Sequence, residues 1–509
     1  MNPLLLTDGY KTSHHQMYPQ NTTLVYSNFT PRSNKYAPKG CDQVVSFGQQ
    51  MVMIQIHEAF QNEFFSKPKD EVCGEMKREL SLYLGTDYDV THFEKLHDLG
   101  YLPIHVKGIE EGTLVPMKVP VLTIYNTHPD FYWVTNYLET ILSNLLWKPM
   151  TSATIAHTYR KVLTKWQEKT DAEKGWFIDW QGHDFSMRGM DSVEAVISSG
   201  LGHLTSFSGT DSLPTLYGAR KFYGEDGFVG GSVNATEHSV MCAGGSDDEV
   251  GTFKRLLDTY PTGILSVVSD TWDLWKVCTK HVVTLKEQIL ARDGKLVIRP
   301  DSGDPCDILC GLNSRLTLSD ETGPAYKGVI ELLWDVFGGT VNEQGYKVLD
   351  SHIGAIYGDS ITIDRADEIC RRLEAKGFAS TNVVLGIGSF TYQYNTRDTF
   401  GFAMKATYVE LGYYEEDTHP TQDNGGWRTI GKEIFKDPIT DDGTKKSATG
   451  LLFVGKFVDN FDDVDGEIRL VDKVTWKIES GDKGLLQTIY KDGEFHNQTT
   501  LTKIRAKLK

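Results

Sequence analysis

The feature that most constrains the fold is a set of four short apolar runs in the middle of the chain, each followed by polar or glycine residues. The runs cover residues 264–268, 296–298, 353–357 and 383–385. Helical periodicity separates them: between the last two, apolar residues recur on one face from Ile363 to Leu373, and Gly377 is placed to end that helix. Such alternation is typical of a parallel β-sheet. We therefore predict βαβ units in this part of the chain.

Polar and glycine residues cluster directly after each run. They are Ser269-Asp270, Arg-Pro-Asp-Ser-Gly-Asp at 299–304, Gly358-Asp359, and Gly-Ile-Gly-Ser at 386–389. In a β/α barrel the residues after the carboxyl ends of the strands form the active site, and a late loop often binds phosphate. We therefore expect an α/β fold with a β/α barrel rather than an open sheet.

The two ends of the chain follow a different pattern. Residues 1–180 mix a helical stretch at 131–147 with short strands at 103–109 and 121–125. After about residue 400, strand and hairpin signals return. We predict that residues 1–180 and 400–509 form one discontinuous α+β accessory domain, and that residues 181–399 form the barrel catalytic domain.

The composition indicates a cytoplasmic protein that binds neither nucleic acid nor membrane. The 509 residues carry 52 basic and 69 acidic side chains, and the net charge of -17 argues against a nucleic-acid footprint. The seven cysteines are scattered and odd in number, which favours free thiols in a reducing compartment. No run of 18 apolar residues occurs, and the N-terminus lacks the basic region of a signal peptide. An anionic substrate must therefore meet locally concentrated Lys and Arg.

The loop at 299–304 combines groups suited to a phosphorylated sugar. Arg299 offers a planar fork for phosphate, Asp301 can hold ribose hydroxyls or a Mg²⁺ shell, and the following Ser-Gly pair lets backbone amides approach a ligand. The same residue types are also favoured in any polar turn after a strand. Because the three other strand ends have a similar character, we favour the functional interpretation.

Three further patterns are weaker. The glycines at 386–389 could form an anion-binding nest, but the third glycine of a dinucleotide fingerprint is missing. Residues 426–433 have Walker A spacing, but Glu433 stands where a Ser or Thr belongs. Cys306 and Cys310 lack a second Cys or His pair with zinc-like spacing, so we expect no metal-ligating residues there.

His238 is the candidate among 15 histidines, because it lies in a polar stretch of small residues where an imidazole could meet a substrate. A lone histidine is more often structural. Catalysis would require a carboxylate that fixes its tautomer. Glu237 or Asp270 could serve, and the residues alone do not choose between them.

Nine segments match a known family, in order and spacing, over nearly the whole chain. They are Thr7-Asp8-Gly9-Tyr10-Lys11, His-Asp-Phe-Ser-Met-Arg-Gly at 183–189, Gly209-Thr210-Asp211, Glu237-His238-Ser239, Ser-Val-Val-Ser-Asp at 266–270, Arg-Pro-Asp-Ser-Gly at 299–303, Gly358-Asp359, Thr396-Arg397-Asp398 and Lys436-Asp437-Pro438. In these segments the chain closely resembles the nicotinamide phosphoribosyltransferases. The resemblance implies the type II phosphoribosyltransferase fold, an irregular β/α barrel with an accessory β-rich domain.

The resemblance also implies a reaction and its partners. Nicotinamide and phosphoribosyl pyrophosphate would give nicotinamide mononucleotide and pyrophosphate in NAD salvage, in a homodimer with two active sites at the subunit interface. Mg²⁺ would neutralise the pyrophosphate with few dedicated protein ligands. ATP, a co-substrate, would phosphorylate His238, and hydrolysis of the phosphohistidine would drive the reaction forward. On this basis Asp270 becomes the preferred orienting carboxylate.

Site residues follow from the resemblance position by position. Phe185 and the partner subunit's Tyr10 would sandwich the pyridine ring, and Asp211 would accept a hydrogen bond from the carboxamide. The other expected substrate contacts are Arg188 and Arg299 at the ring and phosphate, Ser232 and Ser266, then Asp301, Gly358 and Asp359 at the ribose, and Gly388, Ser389 and Arg397 at the 5′-phosphate. The positions expected toward the pyrophosphate and ATP phosphates are Arg32, Lys405, Lys436 and Lys445.

Some positions depart from the family pattern. The family's glycine-richer nest is here Gly388-Ser389-Phe390, and Ala403 stands where a Ser is expected two residues before Lys405. The match of Lys445 needs a one-residue insertion, so Lys446 could take its role. These departures indicate rearranged phosphate contacts.

Two other functions compete with this interpretation. Nicotinate phosphoribosyltransferase shares the fold, but its substrate carries a carboxylate, which an ionised Asp211 should repel by about 4 kcal/mol at 4 Å and an effective dielectric near 20. A non-catalytic binding or signalling protein is the second. The intact set of His238, Asp270 and Asp301 argues against it.

Overall fold

The computed structural model describes residues 1–312, 323–358, 360–415, 426–440, 446–458, 466–481 and 483–509. Its strands are β1 (Thr22–Thr30), β2 (Gln43–Val45), β3 (Ile104–Ile109), β4 (Leu114–Pro116), β5 (Leu122–Asn126), β6 (Gly182–Asp184), β7 (Gly209–Thr210), β8 (Asn234–Ala235), β9 (Thr262–Val268), β10 (Asp293–Arg299), β11 (Gly339–Val341), β12 (Lys347–Leu349), β13 (Ile353–Tyr357), β14 (Val383–Ile387), β15 (Ala403–Glu415), β16 (Gly426–Glu433), β17 (Leu451–Phe457), β18 (Glu467–Val474), β19 (Leu486–Lys491) and β20 (Glu494–Phe495).

The helices are α1 (His14–Met17), α2 (Gln49–Phe60), α3 (Lys69–Leu84), α4 (Thr91–Leu99), α5 (Val134–Tyr137), α6 (Glu139–Thr170), α7 (Ile178–Gln181), α8 (Val193–Leu204), α9 (Leu213–Tyr223), α10 (His238–Gly244), α11 (Glu249–Thr259), α12 (Leu274–Lys276), α13 (Val282–Thr284), α14 (Lys286–Leu290), α15 (Pro305–Cys310), α16 (Pro324–Phe337), α17 (Ile363–Ala375), α18 (Ser389–Gln393), α19 (Trp476–Glu479) and α20 (Leu501–Leu508). In the described part of the chain, no helix has both the length and the apolar character needed to cross a bilayer.

Seven parallel strands form the predicted barrel. β6, β7, β8, β9, β10, β13 and β14 follow one another in chain order, and β14 pairs back onto β6. Gly231, just before β8, pairs in parallel with Gly209 of β7 and joins the two edges of the sheet. The ring is irregular, since the β11–β12 hairpin is inserted between β10 and β13. The expected α/β barrel is confirmed.

The βαβ unit predicted from the apolar periodicity is present. α17 begins at Ile363, its apolar positions Ile363, Ala366, Ile369, Cys370 and Leu373 are buried, and Gly377 follows with a φ of 77°. That left-handed backbone suits glycine best and ends the helix. The helix covers the barrel between β13 and β14.

A second, antiparallel sheet draws strands from both ends of the chain. Its order is β16, β15, β1, β5, β3, β19 and β20. β19 and β20 form a hairpin whose two-residue turn, Asp492 and Gly493, has positive φ at both positions, as a type I′ turn requires. The terminal segments therefore share one sheet. The predicted boundaries near residues 180 and 400 stay a prediction.

Helix α6 crosses the two hydrophobic cores. Leu142 and Leu146 belong to the core beside the antiparallel sheet, whereas Tyr159, Leu163 and Trp166 belong to the barrel core. Its 32 residues give a length of about 48 Å. The barrel core thus includes side chains from well before β6.

Both ring nitrogens of His92 are buried. His92 stacks on His15 at 3.8 Å between ring centroids and also contacts Phe93 and Trp133. Neither ring nitrogen has a partner in the described part of the chain. Burial, reinforced by His15, lowers the pKa of His92 to about 3. The folded protein therefore holds this ring neutral.

We predict that this ring makes stability fall with acidification. The pKa of His92 is lower in the folded state than its ordinary value near 6.5, so its contribution is complete above about pH 6.5 and is lost as pH falls toward 3. Between pH 7.5 and 5.5 the loss should be about 1.4 kcal/mol of unfolding free energy. Denaturant titrations of the wild type and His92→Phe at both pH values should show a smaller pH dependence in the variant. His496→Gln, at an exposed histidine, is the control, and equal pH dependence in wild type and His92→Phe would contradict the prediction.

Candidate active site

The carboxyl ends of the barrel strands gather most of the predicted residues on one edge, which we call the barrel rim. Because all seven strands are parallel, the residues that follow them meet at the same end. The rim carries Phe185 after β6, Asp211 after β7, Glu237 and His238 after β8, Asp270 after β9, Arg299 and Asp301 at the end of β10, Gly358 after β13, and Gly388 and Ser389 after β14. Asp359 lies outside the described residues.

A cavity of about 400 Å³ opens inside the barrel below this rim. Phe185, Asp211, Ser232, Ser266 and Arg299 line it, together with the apolar side chains of the strand interiors. The hydroxyl of Ser266 is buried and has no hydrogen-bond partner in the described part of the chain. The cavity can therefore receive a flat aromatic ring with a few polar contacts at its mouth.

Asp211 presents an ionised carboxylate at the mouth of the cavity. His183 Nε2 donates to its Oδ1 at 2.8 Å, and Ser232 also donates to it. Burial alone would raise the pKa of Asp211, but the hydrogen bonds from His183 and Ser232 and the charge of Arg299 bring it below its usual value. The side chain is 40% exposed, which leaves room for another hydrogen-bond donor.

Phe185 offers the aromatic face beside that carboxylate. Its ring centroid lies 4.5 Å from that of His183, and the Arg299 guanidinium lies 5.5 Å from the ring centroid. Its backbone N–H donates to the carbonyl of Ile387 at 3.0 Å, which fixes the segment against β14. A ring stacked on Phe185 would thus lie within reach of Asp211.

Arg299 and Asp301 form a two-bond ion pair. Arg299 donates to Asp301 from Nε at 3.2 Å and from Nη2 at 2.9 Å. Gly358 is packed against this carboxylate, since a Cβ on it would lie 1.9 Å from Asp301 Oδ1. A ligand that binds Arg299 or Asp301 must therefore compete with, or add to, the ion pair between them.

Asp270 connects two loops of the rim. Its Oδ2 accepts hydrogen bonds from the Asp301 backbone at 2.8 Å and the Ser302 hydroxyl at 2.5 Å. Its Oδ1 is buried, has no hydrogen-bond partner in the described part of the chain, and lies 4.0 Å from His238 Nε2. The free oxygen therefore faces the imidazole.

His238 is half exposed at 50%, and its Nδ1 lies 3.1 Å from the Thr271 hydroxyl. The Glu237 carboxylate instead accepts a hydrogen bond from Ser239. Of the two carboxylates that the sequence left open, Asp270 is therefore the one that faces His238. The arrangement leaves the imidazole accessible to a ligand from outside.

Gly388 and Ser389 lie beside the turn that carries Arg188. Gly388 precedes α18, and Ser389 packs so tightly on Gly189 that a Cβ there would lie 2.2 Å from the Ser389 hydroxyl. The turn Met187–Gly189 begins two residues after Phe185. The segments expected to hold the ring and the 5′-phosphate are thus in contact.

Four cations form a separate group, which we call the cation cluster: Arg32, Arg397, Lys405 and Lys436. Burial, together with the charges of the other three, lowers the pKa of Lys405, while Glu139 acts in the opposite direction. Arg32 donates to the carbonyl of Gly401 at 2.9 Å, which places it beside the start of β15. Such a group is suited to a multiply charged anion.

Two further expected contacts are Tyr10 and Lys445. Tyr10 is exposed and lies 5.6 Å from the ring of His14. Lys445 lies outside the described residues, while Lys446 pairs with Asp437 at 3.3 Å. The family resemblance assigns Tyr10 and some residues of the cation cluster to the site of a partner subunit.

The sequence model described as "Nicotinate phosphoribosyltransferase (NAPRTase) family" matches residues 180–469, which covers more than half of the chain. The chain belongs to the nicotinate phosphoribosyltransferase family. A second model, "Nicotinamide phosphoribosyltransferase, N-terminal domain", matches residues 2–70. The barrel rim and strands β15 and β16 of the antiparallel sheet lie within the first matched range, and β1 lies within the second.

Curated relatives extend the match to the whole chain. The nicotinamide phosphoribosyltransferase of Acinetobacter baylyi is 46% identical over 520 aligned positions, which cover 100% of this chain and 97% of the relative. That of Mycoplasma pneumoniae is 35% identical, with 88% and 94% coverage. That of Xanthomonas campestris is 31% identical, with 99% and 97% coverage.

Two solved structures share the fold at low identity. Human nicotinic acid phosphoribosyltransferase matches with a TM-score of 0.53 and 14% identity, over 99% of this chain and 92% of that chain. Nicotinate-nucleotide pyrophosphorylase from Pyrococcus furiosus gives 0.51 and 15%, over 99% and 93%. These similarities confirm the predicted fold class.

Sequence reasoning missed His183, which donates to Asp211, and Thr271, which contacts His238. His183 precedes Phe185 by two residues, so the period of a strand places both on the same face. That spacing could have identified His183. Thr271 carries no such signal, because its contact with His238 depends on how two loops meet.

Proposed function

We propose that this protein transfers a phosphoribosyl group from phosphoribosyl pyrophosphate to nicotinamide, giving nicotinamide mononucleotide and pyrophosphate in NAD salvage. The observation that carries the proposal is the ionised Asp211 carboxylate beside Phe185 at the mouth of the cavity. It can accept a hydrogen bond from a carboxamide, whereas a nicotinate carboxylate 4 Å away would be disfavoured by about 4 kcal/mol, about a thousandfold in affinity. The names of the curated relatives support the same substrate.

The chemistry needs little proton transfer. The pyridine nitrogen attacks C1′ of the ribose with its lone pair, the bond from C1′ to pyrophosphate breaks, and pyrophosphate leaves with the electron pair. Because the attacking nitrogen carries no proton, no general base is required at this step. The site must instead align the ring with C1′ and stabilise the charge that develops on both sides of it.

Each rim segment has a part in that alignment. Phe185 stacks on the ring and Asp211 fixes its rotation, so that the ring nitrogen points toward the ribose. Asp301, Gly358 and Asp359 hold the ribose, and the negative charge of Asp301 compensates the positive charge that grows at C1′. Gly388 and Ser389 hold the 5′-phosphate.

Mg²⁺ enters with the pyrophosphate group in this proposal. In the described part of the chain, no three His, Cys, Asp or Glu side chains group to hold a metal by themselves. The unpartnered Oδ1 of Asp270 is an oxygen suited to a shared shell. When bound, Mg²⁺ would supply charge neutralisation at the pyrophosphate, and the cation cluster would supply further positive charge.

ATP couples to the reaction through His238. The imidazole is half exposed, so a nucleotide can reach it. The unpartnered Oδ1 of Asp270 can stabilise the positive charge that forms on the imidazole when a ring nitrogen attacks the γ-phosphorus of ATP. In that step a nitrogen–phosphorus bond forms and ADP leaves. Hydrolysis of the phosphohistidine later returns the free imidazole and phosphate.

A homodimer completes the site. The family resemblance implies that a second copy uses Tyr10 and the cation cluster, and the exposed ring of Tyr10 supports this. We expect two equivalent sites, each with the barrel rim of one subunit and Tyr10 from the other.

The six buried cysteines and the exposed Cys242 are all unpaired, which supports a cytoplasmic location.

We predict that Asp211 determines the choice of ring. Wild type should show a kcat/KM for nicotinamide about a thousandfold above that for nicotinate. Asp211→Asn should reduce that ratio by about tenfold or more, because the charge repulsion is removed. Asp226→Asn, at an exposed loop position, is the control. A higher kcat/KM of the wild type for nicotinate would refute the substrate assignment.

We predict that His238 accepts phosphate from ATP. Wild type incubated with ATP and Mg²⁺ should release ADP and form an acid-labile phosphohistidine, detectable by mass spectrometry at high pH. His238→Ala should lose ADP release by about a hundredfold or more and keep a basal rate of synthesis, because the ring and sugar contacts remain. His496→Ala is the control. Absence of both signals in wild type would remove ATP from the mechanism.

We predict complementation between two damaged subunits. Tyr10→Ala and Asp211→Ala should each be inactive, but their mixed dimers contain one site with an intact rim and an intact partner ring. Statistical mixing should restore about a quarter of wild-type activity. Co-expression and steady-state rates test this, with Tyr36→Ala in place of Tyr10→Ala as a control. Rates no higher than those of the separate variants would contradict the shared site.

A further inference from the structure

Lys148 is a charged side chain buried in the middle of α6. It is only 7% exposed, and burial lowers its pKa, with a partly opposing effect from Asp191. Its ammonium lies 5.3 Å from the Trp147 ring centroid and donates to Gln393 Oε1 at 3.1 Å. A buried charge whose partner is a neutral amide costs free energy, and that cost makes a functional role for the contact worth testing.

Gln393 connects Lys148 to the barrel rim. Its Oε1 also accepts a hydrogen bond from the Asp191 backbone at 3.3 Å. Gln393 is the last residue of α18, which begins at Ser389, while Asp191 follows the turn that carries Arg188. One oxygen therefore joins the segment of the expected phosphate contacts to the segment of the expected ring contacts.

α18 depends on such contacts for its orientation. Its five residues are too few to be stable as an isolated helix. Two other side chains make neutral hydrogen bonds: the Thr391 hydroxyl with Tyr159 at 3.1 Å, and the Tyr392 hydroxyl with His203 at 2.7 Å. Lys148 adds a charge-assisted bond at the end of the helix, and such bonds are stronger than neutral ones.

We propose that Lys148 is a positioning residue for the 5′-phosphate of the sugar substrate and that it acts through Gln393. The ammonium holds the Gln393 amide, and the amide holds α18 against the turn after Phe185, so that Gly388 and Ser389 face the phosphate. The inference rests on the proposed function, which places the phosphate at these two residues. Nothing in it requires Lys148 to touch the substrate.

The test compares variants at both ends of the bond. Lys148→Met keeps most of the volume but removes the donor, and Gln393→Leu removes the acceptor. Each should raise the Kd for ribose 5-phosphate, measured by calorimetry, and the KM for phosphoribosyl pyrophosphate about threefold to tenfold. The KM for nicotinamide should change less than about twofold. The double variant should be no worse than either single one, because both act through one bond.

Lys165→Met is the matched control. Lys165 lies on the same helix, also beside a tryptophan at 4.9 Å from the Trp166 ring centroid, but it is exposed. Unchanged ribose 5-phosphate affinity in Lys148→Met would overturn the inference. So would equal rises in both KM values together with a lower melting temperature, or additive effects in the double variant. If the ribose 5-phosphate affinity depends on Lys148 as expected but the wild type makes no nicotinamide mononucleotide, the inference stands and the proposed function fails.

Discussion

Parallel pairing of Gly209 with Gly231 joins the two edges of the barrel sheet, and the position of every rim residue depends on that closure. A closed ring of parallel strands brings seven carboxyl ends to one opening, whatever lies between the strands along the chain. Residues as far apart in sequence as Phe185 and Gly388 thereby come to neighbouring strands. The loops then need only short side-chain contacts to become one surface, as when Asp270 accepts a hydrogen bond from the backbone of Asp301.

At that ring, two carboxylates are each held by protein hydrogen bonds but keep the capacity to accept another one. Asp211 is held by His183 yet remains partly exposed, and Asp270 is held by the loop of Asp301 yet keeps one oxygen without a partner. Such partial satisfaction costs free energy in the protein alone, and a ligand can recover it. A chain with a net charge of -17 can thus bind anionic substrates through a few concentrated cations.

Four of the seven barrel strands, β9, β10, β13 and β14, could be predicted because local sequence determines them, whereas β6, β7 and β8 have only two or three residues each and were not predicted. The run at 353–357 is apolar on both faces, and the face of α17 is readable from five residues, so burial follows from composition and period. The polar rim was predictable for the same reason, since its residues directly follow those runs. Family resemblance then supplied roles that physical interpretation alone left open, such as the choice between Glu237 and Asp270.

Contacts between distant segments could not be predicted in this way. Nothing local indicates that Lys148 reaches Gln393, or that Arg299 takes both oxygens of Asp301, because each contact depends on how loops and helices meet after folding. The use of α6 by two cores is a further example. Its apolar positions are spread so widely around the helix that no single face shows which sheet it covers.

That helix also determines how the molecule responds to disturbance. The helix continues from the antiparallel sheet into the barrel, although Pro149 in its interior removes one backbone hydrogen bond, so loosening at either end strains the other. The accessory sheet is consequently not a module that evolution could exchange by recombination at a linker. Any graft would have to replace half of a helix whose other half supports the barrel, and drift in the two cores must therefore remain coordinated.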